Sequence, residues 1–309
     1  MARPAPDLVI AGNLLVDDIV MPDGRTLMGE PGGAALYAAR AASLWEIGVA
    51  VVSVRGSDYP QHALDRLVRR GVDLSAVHTT AGPNLRTWLL YEPHGRRVIH
   101  HLGTPDHANV SPRLRHFPDA YRYAGAVHLA PMPFAVQTEL VDAFRTWCPT
   151  AQVGLDPFEI VRADNLDRWP NALDGVHVWF VSEDDVAARS ETEAIALLSR
   201  AARSFDGLVV RRLGERGGQV LNAEDGFHPI HEWSPFETNA VDTTGAGDAF
   251  AGGFLAGRVR HEPLEKCCAM GAVSASFAVE GLGPRGLLWA SGAEARARLE
   301  RYPRLGRFG

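Results

Sequence analysis

Short apolar runs alternate with amphipathic stretches along most of this chain. Asp7-Leu-Val-Ile-Ala11 is such a run, closed by Gly12, and predicts a strand buried on both faces of a sheet. Pro31-Gly32-Gly33 precedes Ala34 to Trp45, where small residues recur at helical spacing and Arg40 alone is charged. That pattern predicts a buried helix launched from a diglycine turn. Val49 to Val54 predicts the next strand, and Gln61 to Arg70 the next helix, with Gly71 as its C-terminal stop. From Arg86 to His101 the texture changes: two strand-like runs flank Glu92-Pro-His-Gly95, which predicts a hairpin. Strands follow at Ala126 to Ala130, Val153 to Asp156, Val176 to Val181 and Gly207 to Arg211, each trailed by a helical or turn stretch. Repeated β-α alternation implies a mostly parallel sheet with right-handed crossovers. With no internal repeat, low-complexity tract or long linker, the expectation is one α/β domain over residues 1–309 carrying a small β excursion.

Composition narrows the function classes. A hydrophobic share of 46% is that of a core-forming chain and excludes disorder as the main state. Basic and acidic residues number 31 and 37, leaving a net charge of −6 with no long block of like charge, so neither nucleic acid nor an anionic membrane is the expected partner. Cys148, Cys267 and Cys268 form no C-x-x-C pair, and the adjacent two make a poor disulfide, which fits a reduced, cytoplasmic compartment. The opening residues hold no signal-peptide core, and no run approaches the ~20 apolar residues that span a bilayer.

The chemistry concentrates in Asp242-Thr-Thr-Gly-Ala-Gly-Asp248, which runs into an apolar, glycine-containing helical stretch. A glycine-rich turn opening a helix aims several backbone N–H groups at one place, where the positive end of the helix dipole adds to them. Such a place binds phosphate. Asp248 is misplaced for binding an anion there but well placed to take a proton from an attacking hydroxyl, so it is the expected general base. Neither G-x-G-x-x-G nor a lysine-bearing phosphate loop accompanies it; Lys266 is the only lysine. The plainer alternative is a capped helix start and nothing more. Zinc is not expected from His94, His100, His101 and His107, because adjacent histidines cannot share a strand face and no ligand spacing emerges.

The same seven residues match the D-T-x-G-A-G-D signature of the ribokinase-like, or PfkB, carbohydrate and nucleoside kinases, and the chain resembles that family over nearly its whole length. Gly12 followed by Asp17 resembles the family's first strand and substrate-binding aspartate. Gly32-Gly33 resembles its hinge diglycine, and Arg212-Leu-Gly-Glu-Arg-Gly217 its T-L-G-x-x-G nucleotide loop. Ala272 to Gly283 is similar to the helix and loop that close the adenine pocket. The resemblance implies a ribokinase-like, three-layer core with a small β lid at about residues 13–31 and 84–103. It implies transfer of the γ-phosphoryl group of ATP, with Mg²⁺, to an alcohol of a sugar, polyol or nucleoside. The N–H groups of Gly245, Ala246 and Gly247 would stabilise the transferring group. Asp17, Gly32, Gly33 and Tyr37 would meet the acceptor. Ser182, Arg212, Gly214, Gly217, Gly247 and Ala272 would meet the nucleotide. Asp242 with Thr244 would form the family's monovalent-cation position, for K⁺, and two copies pairing through the lid is the assembly left open.

Several positions depart from the family pattern. Where it has N-x-x-E, this chain has Ser182-Glu-Asp-Asp185, so Asp185, helped by Glu183, would organise Mg²⁺ through water with a shorter carboxylate. The sugar-reading asparagine falls at Tyr37, whose phenol offers one donor and a stacking face, so ribose is not the default acceptor. Arg212 replaces a threonine and, with Arg211 beside it, would bring a cation to the nucleotide phosphates or stand at the solvent end of a strand. Asp17 and Asp18 face opposite ways in an extended segment, and the spacing from Gly12 selects Asp17 for the cleft. The lid would contribute Arg86, Thr87 or Trp88. A silent sugar-responsive binding protein that keeps the fold is the competing expectation, resting on Ser182, Asp185 and Arg212.

Overall fold

The computed structural model describes residues 5–92, 95–223 and 227–303. The chain opens with β1 (Leu8–Ala11), leaves its sheet for β2 (Leu15–Val20) and β3 (Thr26–Gly32), and returns through α1 (Ala34–Ala42) to β4 (Val49–Arg55), α2 (Gln61–Arg69) and β5 (Asp73–Thr79). A second excursion, β6 (Arg86–Glu92) and β7 (Gly95–His100), is followed by the one-turn α3 (His107–Val110). Alternation resumes with β8 (Ala126–Leu129), α4 (Phe134–Trp147), β9 (Gln152–Leu155), α5 (Trp169–Leu173), β10 (Val178–Ser182), α6 (Glu191–Ala201) and β11 (Leu208–Arg212). After β12 (Gly218–Asn222) and β13 (Pro229–Trp233) come α7 (Ala246–Val259), α8 (Leu264–Val279), α9 (Arg285–Trp289) and α10 (Gly292–Glu300).

Among the described residues the large sheet runs β13-β12-β11-β10-β9-β8-β1-β4-β5, parallel from β11 to β5 with an antiparallel edge at β12 and β13. Its central strands β1, β4, β8, β9 and β10 are mostly apolar because both faces are covered. Leu8 and Ile10 of β1 enter one core and Val9 and Ala11 the other, and β10 splits the same way, Phe180 against Trp179 and Val181. The first core lies under α1, α2, α7 and α8, the second under α4 and α6. A separate small sheet, β3-β2-β6-β7, is formed by the two excursions.

Strand order reverses between β1 and β8, which places a crevice at their carboxyl ends, where open α/β sheets bind ligands. Gly12 leaves β1 at that point, and a Cβ there would lie 2.7 Å from the Ala130 Cβ. The glycines of α7 fix its height over the crevice: a side chain at Gly252 would overlap the Ala38 carbonyl of α1, and one at Gly253 would overlap Ser274 and Met270 of α8. Close backbone approach on both sides holds the start of α7 in place.

The strands expected in the large sheet and the hairpin over 86–101 are present, the latter as β6 and β7. Its tip, with Pro93 and His94, lies outside the described residues. The helix expected over Ala34 to Trp45 stops at Ala42 and tightens into a 3₁₀ turn at Ser43–Trp45, ended by Glu46 in the left-handed region at φ 57°. β2 and β3 fall in the β segment at about 13–31 that the family resemblance implies, whereas β5, β12 and β13 were not foreseen as strands. β5 is half-exposed, and β13 reaches burial only at Trp233, so neither has the apolar run that marks a covered strand.

Candidate active site

The turn before α7 determines the chemistry at the crevice. Gly245 caps the helix at φ 73°, a conformation that favours glycine, and a side chain there would overlap the Tyr37 ring. Tyr37 therefore lies beneath the turn, 2% exposed, with its ring against Gly245. Its hydroxyl has no hydrogen-bond partner among the described residues. Burial, then the charges of Asp17, Asp242 and Asp248, push the phenol well above its ordinary pKa, so it stays a neutral donor. The first N–H groups of a helix lack partners within it. Ala246 N–H shares its proton with Thr243 O at 3.3 Å. Asp248 stands half-buried in the first turn of α7.

Arg212, at the carboxyl end of β11, is buried, not at a solvent-facing strand end. Its guanidinium makes a bidentate pair with Asp156, at 2.7 and 2.8 Å, and lies 3.7 Å from Asp185. A Cβ on Gly247 would come 2.9 Å from Arg212 Nη1, so the cation sits against the start of α7. Burial would lower the guanidinium pKa, but Asp156, Asp185 and Asp248 outweigh it and hold the group charged. Arg211 turns the other way, onto Glu191.

Asp185 accepts a 2.6 Å hydrogen bond from Ser182 N–H, which ties the loop after β10 to this cluster. Burial and the Asp156 charge push its carboxyl up to about 6 against the pull of Arg212. Three carboxylates, Asp156, Asp185 and Asp248, thus surround one guanidinium. Glu183 points to Arg216 instead, at the exposed edge of the loop. Gly214, at φ 58°, has open space above it, whereas Gly217, at φ 80°, is pressed against the Trp233 carbonyl. Ala272 is buried inside α8.

On the other side of the crevice, Asp17 of β2 is 5% exposed and accepts 2.6 Å from the Thr87 hydroxyl of β6. A side chain at Gly32 would overlap the Asp17 carboxylate, and one at Gly33, which is at φ 98°, the Asn13 carbonyl. The diglycine thus packs closely against the segment that leads from β1 into β2. Asp18 faces away from Asp17, as its position in the strand requires, and is fully buried against Arg86 at 2.6 and 2.7 Å, Gly29 N–H at 2.7 Å and His101 Nε2 at 3.0 Å. Trp88 stacks on His101 on that same side.

Sequence reasoning missed Asp156, Tyr91, Asn13, His107 and Phe158. Asp156 follows β9 at the same sheet edge as Gly12, Ser182 and Arg212, so strand-end position was the available signal. Tyr91 shares the Thr87 face of β6, four residues on, and its hydroxyl meets Asp242 Oδ1 and Thr244 Oγ1. Asp242 Oδ1 also accepts from Thr244 N–H at 2.8 Å, and Oδ2 from Gly283 N–H at 2.7 Å. Asn13 bonds His107 at 3.2 Å and Ser111 at 2.9 Å, and the His107 ring lies between those of His100 and Phe158.

A glycine turn at a helix start, a buried cation against it and a carboxylate in the helix's first turn thus meet at the crevice, and residues 9–290 match the family model described as pfkB family carbohydrate kinase. The chain belongs to that family. This kinase is 30% identical over 271 residues to a cytidine kinase of Thermococcus kodakarensis, covering 86% of this chain and 93% of the relative. It is 30% identical over 233 residues to an acarbose 7(IV)-phosphotransferase of Actinoplanes sp., covering 74% and 73%. Its ribokinase-like fold is shared with a putative ribokinase II from E. coli solved with ATP and Mg²⁺, at TM-score 0.73 and 18% identity over 96% of this kinase and all of that chain. The nucleoside kinase of Methanocaldococcus jannaschii superposes at TM-score 0.68 and 17% identity, covering 97% and 100%. Among the described residues no helix is long and apolar enough to cross a membrane.

Proposed function

We propose that this kinase moves the γ-phosphoryl group of ATP to a hydroxyl of a nucleoside. The observation that carries the reading is the seating of Arg212 against Gly247, which brings a buried cation, the start of α7 and Asp248 to one point. In this reading Asp248 takes the proton of the attacking hydroxyl. The N–H groups of Gly245, Ala246 and Gly247 and the Arg212 guanidinium meet the charge on the transferring group. Asp156 holds Arg212 in its bidentate orientation, so the cation is placed before any ligand arrives. Asp17 and the diglycine receive acceptor hydroxyls, while Tyr37 supports the turn from below. The donor nucleotide lies over the open side of Gly214, bounded by Ser182, Gly217 and α8 at Ala272.

The three carboxylates around one guanidinium leave net negative charge of oxygen donors, which fits a hard divalent cation. Asp185, with Glu183 at the rim, would hold Mg²⁺ through water, and the ion would neutralise charge on the donor phosphates. The departures at Ser182, Asp185 and Arg212, the only basis for a silent binding protein, are tied together around Arg212, which lies against Gly247 at the start of α7, and so support catalysis.

A nucleoside is favoured over a free sugar by the ring-lined mouth of the crevice. His100 of the lid and His107 and Phe158 of the core form a row, with ring centroids 6.2 and 4.9 Å apart, and Phe158 is 46% exposed. The rings stand edge-on and tilted to one another, so a planar base would stack on the exposed Phe158 face, which a small sugar leaves uncovered. The cytidine kinase relative supports the same class. Buried free thiols at Cys148, Cys267 and Cys268 support a reduced, cytoplasmic setting. Exposed Met28 and Ile99 on the small sheet support pairing through the lid, which sedimentation would test.

The deciding experiment is a panel of pyrimidine and purine nucleosides, pentoses, hexoses and polyols with ATP and Mg²⁺, reading phosphorylated product. The reading expects a nucleoside to give the highest kcat/KM. A free sugar or polyol preferred over every nucleoside would reject the acceptor class, and no transfer to any alcohol would reject the kinase assignment of these residues.

A further inference from the structure

The residues at Asp242 and Thr244 do not fit a resident monovalent cation, because a side chain of the lid already stands there. We propose that the Tyr91 hydroxyl takes the place of that cation, latching the lid to the turn that carries the phosphate cradle. Asp242 is 2% exposed and both its oxygens are engaged: Oδ1 by Thr244 N–H and Tyr91, Oδ2 by Gly283 N–H. The Tyr91 O–H donates to Asp242, and the Thr244 O–H donates to the Tyr91 oxygen, so each hydroxyl uses its single proton once. Hydrogen-bond donors thus balance the buried carboxylate as a cation would. A bare K⁺ brought to these oxygens would have to displace Tyr91 and open the lid.

The latch acts on both ends of the reaction because of where it lies. Thr87 and Tyr91 are on one face of β6, four residues apart, about 13 Å along the strand. Thr87 holds Asp17 at the acceptor end, while Tyr91 holds Asp242 and Thr244, directly before Gly245, at the cradle end. Two further lid contacts reach the α8–α9 connection, whose Gly283 N–H holds Asp242: Glu30 of β3 pairs with Arg285 at 2.7 Å, and Ile19 of β2 faces Gly283. The lid strand that braces the acceptor aspartate therefore also fixes the turn that meets the transferring phosphoryl group. Tyr91 is a positioning residue in this scheme, and its kinetic effect rests on the cradle reading of Gly245 to Gly247.

The test compares the full-length protein with its Tyr91→Phe variant, in KCl and in tetramethylammonium chloride of equal ionic strength. Three quantities are read: thermal midpoint, amide exchange of residues 86–92 and 242–247, and kcat with a nucleoside that the wild type accepts. The wild type should show equal midpoints, exchange and kcat in the two salts. Tyr91→Phe should exchange faster in both segments in tetramethylammonium and lose about tenfold in kcat with KM for ATP little changed. K⁺ should restore part of both losses, since removing the hydroxyl opens a cation position. Activation or stabilisation of the wild type by K⁺ overturns the proposal, as does a Tyr91→Phe variant with wild-type exchange in tetramethylammonium. If the cradle reading alone is wrong, kcat of the variant stays unchanged while the exchange difference persists.

Discussion

Arg212 and Asp156 form a buried pair whose structural and catalytic contributions are separable by mutation. Removing one partner leaves an uncompensated buried charge, so Arg212→Met should cost about 3–5 kcal/mol of stability by denaturant unfolding. The double variant Arg212→Met/Asp156→Leu removes both charges and should recover most of that loss, because replacing a buried pair with apolar groups is close to neutral. Turnover should not recover, since the cation at the start of α7 is still missing. A double variant that regains both stability and wild-type kcat would show that Arg212 is only a strut. The sequence placed Arg212 at the nucleotide loop but left its environment open, because no local pattern ties residue 212 to residue 156. That partner is reached only through the parallel stacking of β9, β10 and β11.

At the scale of the element, the lid is a sheet whose two faces have different jobs. Alternation along β2 sends Asp17 to the crevice and Asp18 to the outer side, where Arg86, Gly29 N–H and His101 surround it. Burial would raise the Asp18 carboxyl, but Arg86 and Gly29 N–H outweigh it and hold it below the usual range. Asp17→Ala should therefore raise KM for the acceptor strongly while lid exchange stays slow. Asp18→Ala should leave KM little changed but speed amide exchange across residues 86–92 and 95–100, because it leaves Arg86 without its carboxylate. Equal lid exchange in the two variants would contradict this division. What was legible at this scale followed from period and turn chemistry: the hairpin, the diglycine and the opposite orientation of the two aspartates. β2 and β3 came only from the family resemblance and not from the hydrophobic pattern, since Asp17, Asp18 and Glu30 interrupt their apolar runs and find their partners far along the chain.

For the whole molecule, two apolar cores on either side of one sheet leave little room for charge inside, and His128 registers the consequence. It is fully buried in β8, edge-on to Phe180, and burial pushes its imidazole down to about 4, Asp156 only partly opposing. The unfolded chain binds that proton near the ordinary 6.5, so stability is complete above 6.5 and falls as pH drops toward 4, by up to about 3 kcal/mol from this residue. Denaturant midpoints across that range should decline for the wild type and flatten for His128→Leu; an unchanged slope would assign the acid sensitivity elsewhere. The fold class and parallel topology were legible because strands covered on both faces read as apolar runs, and the Asp242 to Asp248 string marked the site. The assembly of Asp17, Asp156, Arg212 and Asp248 was not, as it depends on where the strand order reverses. The central claim is that Asp248 is the proton acceptor at a preformed phosphate cradle. Single-turnover transfer by Asp248→Asn, alongside ATP binding, tests it most directly. The account predicts a loss of roughly 10²–10⁴ in the rate with ATP affinity little changed. A variant that transfers within tenfold of the wild-type rate would contradict it.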